Sequence, residues 1–241
     1  MRHHHHHKPL RVVFEAALEH GDLSAVQAAT VREIQADLRS DREERRARRE
    51  KLRAAAVEVV RSGTADSKQF EQAVQKATAA IEERMQAHSD ALIELHAILD
   101  VDQREGVADA LRARLEKRFG ERRAKKHRHR KGLERIVAYL MLSQLQIDEL
   151  RAMHRELMGP EKRLRPTREE LESLVTAFEG DQFEAALESF QKGKVALLNE
   201  HIARAGEHTD TVLAILDAGQ RALLADLIER GPRGVLLAEQ R

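Results

Sequence analysis

The chain has 241 residues, 41% of them hydrophobic and 34% charged, with a formal net charge of +1. Aromatic residues make up only 3%, and there is no Trp and no Cys. A core built on stacked rings, a disulfide scaffold, a Cys-ligated zinc finger and a thiol enzyme are therefore excluded; helices joined through Leu, Ala, Ile and Val are what this composition supports.

The first segment, Met1-Arg2 followed by His3 to His7, reads as a purification tag or a native His-rich leader. No signal peptide is visible in the sequence, which reads as starting after any export signal, and no apolar run is long enough to cross a bilayer. Leu10, Val13, Phe14, Ala17 and Leu18 recur at helical spacing and predict a short entry helix that ends at Gly21. From Ser24 to Val60 there is neither Gly nor Pro, which predicts one continuous helix with Val26, Val31, Ile34 and Leu38 on its apolar face. Its middle is a charge run. Asp41 with Arg45, Glu44 with Arg48 and Arg46 with Glu50 form i,i+4 pairs, as on a solvated, self-bridged face; the alternative is a basic binding surface. Arg61 to Ala65 is a turn, and a long helix follows through Phe70, Val74, Ile81, Met85 and Leu95. A shorter one then runs to about Phe119.

Residues 120–132 hold the basic string from Arg122 to Lys131. No aromatics interleave with it for base stacking, so it reads as a linker and not as a nucleic-acid site. Beyond it the order repeats. Leu133, Ile136, Val137, Leu140 and Met141 mark a second entry helix. Gly159-Pro160 and Pro166 then break the stretch that is unbroken in the first half, and Thr167-Arg-Glu-Glu170 restarts it as a capping box. A long helix from Phe183 and a final one to Gly231-Pro232 close the chain.

Four strings tie the halves together: Leu23-Ser-Ala-Val-Gln27, Leu99-Asp-Val-Asp-Gln103, Leu142-Ser-Gln-Leu-Gln146 and Leu216-Asp-Ala-Gly-Gln220. In each, Ser or Asp can cap a helix and Gln three residues on can reach back to the cap's own N–H, so Ser24, Gln27, Asp100, Gln103, Ser143, Gln146, Asp217 and Gln220 are read as helix caps. The first and third strings are 119 residues apart and the second and fourth 117, the offset of one unit written twice. The expected architecture is all-α, with a tail over 1–9, one four-helix repeat over 10–119, a basic linker over 120–132 and a second repeat over 133–241.

Paired Leu-[Ser/Thr/Asp]-x-x-Gln strings about 75 residues apart in a helical repeat resemble the Spy/CpxP family, whose hallmark is the LTxxQ motif. The stretch from Met158 to Glu184, with its Pro-containing break, Arg/Glu-rich helix and small-residue turn, is similar to that family's middle. The cap residue is Ser or Asp in all four strings and never Thr, and the chain carries two units where the family has one. The resemblance implies a monomeric pseudo-dimer folded as a curved helical cradle. It also implies a periplasmic location and ATP-independent holding of unfolded or misfolded client proteins, without membrane insertion or nucleic-acid binding. Arg45, Arg48, Arg49 and Arg53 are the candidate charged part of such a client surface.

The runner-up is the metal-responsive branch of CnrX and ZraP, which implies transition-metal binding or envelope-stress sensing. No cofactor is required by the main reading; zinc is the possible one. The candidate ligands are His201 with His208 and His88 with His96, seven and eight residues apart on shared helix faces. That is two turns, wider than the i,i+3 or i,i+4 spacing of a helical chelate. No Gly-rich phosphate loop and no His-Glu-x-x-His string occurs, so no enzyme is expected.

Overall fold

In a computed structural model, residues 9–40, 42–65, 68–120, 134–157 and 164–231 are described. The described residues are all-helical, without strand. In chain order the first half supplies α1 (Pro9–His20), α2 (Ala25–Ser40), α3 (Arg42–Ser62), α4 (Lys68–Ile98) and α5 (Val101–Gly120). The second half supplies α6 (residues 134–139), α7 (Gln144–Leu157), α8 (Arg168–Glu179), α9 (Phe183–Ile215) and α10 (Ala218–Arg230). No helix among the described residues is long and apolar enough to cross a membrane.

The stretch from Ser24 to Val60 is helical on both sides of residue 41, which lies outside the described residues.

The chain divides into two compact units, and their boundaries cross the repeat boundaries. Unit 1 takes residues 1–42, 82–123 and 165–195, and unit 2 takes 43–81, 124–164 and 196–241. Each unit therefore combines segments of both halves. The long helices α4 and α9 are each divided between the units, at Ile81–Glu82 and at Val195–Ala196.

Unit 1 has one continuous apolar core. Phe14, Ala16 and Ala17 of α1, Val31 and Ile34 of α2, Leu95 of α4 and Val107, Ala108 and Leu111 of α5 meet Val175 and Phe178 of α8 and Phe183 and Leu187 of α9. Gly106 lets α5 lie against the end of α1: a Cβ there would stand 2.7 Å from the His20 carbonyl oxygen. Polar bonds cross the halves as well. Arg112 of α5 grips both carboxylate oxygens of Glu179 of α8, at 2.6 and 2.5 Å. Within the second half, the buried Lys194 of α9 donates to Glu170 of α8 at 2.7 Å, and Glu170 also completes the capping box of Thr167.

Unit 2 has a smaller core, in which Val57, Val59 and Val60 of α3 meet Leu213 of α9 and Ala225 of α10, flanked by Phe70, Leu224 and Ile228. Arg61 of α3 pairs with Glu229 of α10 at 2.9 Å. The pairing runs the same way in both units: α8 closes on α5 in unit 1, and α3 on α10 in unit 2.

Candidate functional site

The four capping strings come together in two pairs, one in each unit. In every string the Ser or Asp side chain accepts the backbone N–H of the Gln, at 3.3, 2.9, 3.3 and 2.8 Å in chain order. The Gln Oε1 in turn accepts the cap's own N–H at 3.0, 3.1, 2.9 and 3.0 Å. That leaves each Gln side-chain NH₂ free to bond elsewhere, and the two amides of a pair use it on one another. Gln27 Nε2 donates to Gln103 Oε1 at 2.9 Å, and Gln103 Nε2 donates back at 3.2 Å. In unit 2, Gln146 Nε2 donates to Gln220 Oε1 at 2.8 Å and receives the return bond at 3.1 Å.

The second proton of each amide goes to a backbone carbonyl that a helix end or turn leaves open. Gln27 reaches Ile98 at the end of α4, and Gln146 reaches Ile215 at the end of α9, both at 2.7 Å. Gln103 reaches Asp22 and Gln220 reaches Met141, at 3.2 and 3.3 Å. Asp22 and Met141 occupy equivalent turns, 119 residues apart, and both have a left-handed backbone, with φ of 45° and 51°. Each Gln thus caps its own helix, bonds the other Gln and holds a neighbouring turn.

An arginine follows the Gln in the second string of each half. Arg104 donates to the His96 carbonyl at 3.1 Å, and Arg221 donates to the carbonyls of Leu213 and Leu216 at 3.4 and 2.7 Å. Both therefore close the C-terminal turn of the long helix before them, where a cation is favoured. Arg221 also lies against Gly63, whose φ is 78° and where a Cβ would meet its guanidinium at 3.1 Å. These two arginines escaped the motif reading. The Gln-Arg dipeptide shared by only the second and fourth strings was the available signal.

Beside three of these capped ends large apolar side chains stand exposed. Val26, Val101, Met141 and Leu145 are 77%, 58%, 73% and 70% exposed, and each lies within two residues of a cap. Val26 and Leu145 are equivalent, both two residues past the capping Ser.

The candidate client arginines divide. All four belong to α3, in unit 2. Arg48 pairs with Glu44 at 3.4 Å, and its neighbour Arg46 pairs with Glu50 at 3.1 Å. Arg53 lies against Gly231 at the end of α10, where a Cβ would stand 3.3 Å from its guanidinium. Arg49 is exposed. The side chain of Arg45 lies outside the described residues, as does the basic string from Arg122 to Lys131.

The candidate metal histidines are also distributed. His88 and His96 are in unit 1, His201 and His208 in unit 2. His88 accepts from Arg84 Nε at 3.3 Å, and His201 Nδ1 bonds the Leu197 carbonyl at 2.8 Å. His96 sits in an aromatic cluster, its ring 5.3 Å from Phe178 and 5.0 Å from Phe183, with Nε2 donating to the Gly180 carbonyl at 3.1 Å. Among the described residues, no group of three or more His, Asp or Glu side chains could hold a metal ion.

Burial, reinforced by the Arg104 charge, holds the His96 pKa below its ordinary 6.5. The bidentate bond from Arg112 holds Glu179 below the ordinary carboxylate value of 4.5. Both groups belong to unit 1. For His96 the unfolded chain takes up the proton first, so stability present above pH 6.5 is lost as pH falls toward the folded value. For Glu179 the loss comes below pH 4.5. Urea midpoints measured from pH 7 to 5 are expected to fall, and His96→Gln is expected to flatten that dependence. An unchanged slope in the variant would remove His96 as its origin.

No protein-family model, no curated protein and no solved structure matches this chain.

Proposed function

We propose that this protein is an ATP-independent holdase, a periplasmic chaperone that binds unfolded or aggregation-prone segments of other proteins. The observation that carries this reading is the exposure of Val26, Val101, Met141 and Leu145 around the capped ends. Large apolar side chains left in water beside a rigid, fully bonded helix end offer weak attachment to an unfolded chain without a change of fold. The resemblance of the four capping strings to the LTxxQ motif supports the same reading. The exposed Arg49 and the paired Arg48 add long-range attraction for acidic clients, which speeds encounter more than it strengthens holding.

Light scattering from a chemically unfolded client tests this without nucleotide. A several-fold molar excess of the protein is expected to slow aggregation of two unrelated clients. The double substitution Val26→Ser, Leu145→Ser is expected to reduce that protection several-fold while leaving the circular dichroism unchanged, because both side chains already face water. Charge reversal at Arg48 and Arg49 is expected to slow capture at low salt, and added salt to mimic it. No protection of either client would end the holdase reading.

A further inference from the structure

The interleaving of the halves has a partner built into it, namely a second copy of the chain. Neither unit can be completed by one half. In unit 1 the core residues Phe14, Leu95, Val107 and Leu111 come from the first half, and Phe178 and Phe183 from the second. In unit 2, Val57 and Val60 come from the first half, and Leu213 and Ala225 from the second. The polar bonds that close the units also cross the halves: Arg112 to Glu179, Ser89 to Gln191, His96 to Gly180 and Arg61 to Glu229. What makes these contacts intramolecular is only the connection through residues 121–133.

We propose that the chain forms an exchanged dimer, in which the first half of each copy pairs with the second half of the other. Every core contact and ion pair named above recurs in that dimer, because both surfaces are already self-complementary within one chain. The two forms differ mainly in tether entropy. Thirteen residues join the halves, and a tether that short gives the attached half an effective concentration on the order of millimolar. The closed monomer therefore prevails at micromolar concentration, and the dimer becomes comparable at about 1 mM. This inference is independent of the holdase reading, since it concerns how the units are completed and not what they bind.

The absence of cysteine makes the test direct. Arg61 and Glu229 are exposed, lie on different halves and meet at 2.9 Å. One full-length chain carries R61C and a second carries E229C. They are mixed, unfolded together in urea, refolded at about 1 mM or about 10 µM, and treated with a bis-maleimide whose spacer covers the span of an Arg–Glu pair, which is longer than a disulfide. A crosslinked heterodimer identified by intact mass, in a species that elutes as a dimer, is expected at the higher concentration. Its ratio to monomer should fall about a hundredfold at the lower concentration, because that ratio follows total protein. A second pair, R112C with E179C, reports on unit 1 in the same way. Circular dichroism of each single variant shows that it folds. Absence of the crosslinked heterodimer for both pairs at about 1 mM, or a yield independent of concentration, overturns the proposal.

Discussion

Phe178→Ala is expected to cost about 3–5 kcal/mol, the usual loss for a fully buried aromatic ring. Phe178 is 2% exposed and stands edge-on to Phe183, with ring centres 5.0 Å apart. It also touches the His96 ring at 5.3 Å. The cavity would open where α8 meets α5, so the damage belongs to unit 1, although residue 178 lies in the second half of the sequence. Urea denaturation gives the size of the loss. Amide exchange gives its place: protection should fall over α1, α5 and the end of α4 before it falls over α3 and α10. Loss confined to the second half of the chain, with α1 and α5 untouched, would contradict the interleaved core.

The second large effect is expected at Gln220, which is 8% exposed. Gln220→Leu removes the bond to the Asp217 N–H, the exchange with Gln146 and the donor to the Met141 carbonyl. A lost cap costs about 1 kcal/mol, and each buried polar group left without a partner about 1–3 kcal/mol, so about 2–4 kcal/mol is expected in all. Gln146→Leu alone should cost a similar amount. The double variant should cost less than the two together by about 1–2 kcal/mol, because neither amide then leaves the other stranded. A coupling near zero would show that the two amides act only as separate caps.

The sequence made some of this visible and hid the rest, for a physical reason. A capping box is a local motif. Ser24 and Gln27, or Asp217 and Gln220, find each other three residues apart, whatever the rest of the chain does. The helices could likewise be read from periodicity, and the entry and long helices fall where Leu10, Phe70 and Phe183 suggest. The reciprocal amide bonds of Gln27 with Gln103 were not readable, because they depend on two helix ends meeting 76 residues apart. Nor was the crossing of halves. An apolar face on α8 announces burial but not its partner, and α5 of the other repeat serves as well as α10 of its own. His96 shows the same limit. At a spacing of eight from His88 it resembled a possible ligand, and only the tertiary structure places it between two phenylalanines.

The division of each unit between distant segments sets a schedule for synthesis. When the ribosome has made residues up to Gly120, most of the unit 1 core is present, but Val175, Phe178, Phe183 and Leu187 are not. The last segment of that unit ends at Val195, about 75 residues later. At roughly 5–20 residues per second, Phe14, Leu95 and Leu111 wait several seconds without the helices that cover them. The nascent first half is then itself an unfolded chain with an uncovered apolar face, and its earliest danger is a neighbouring ribosome's copy in the same condition.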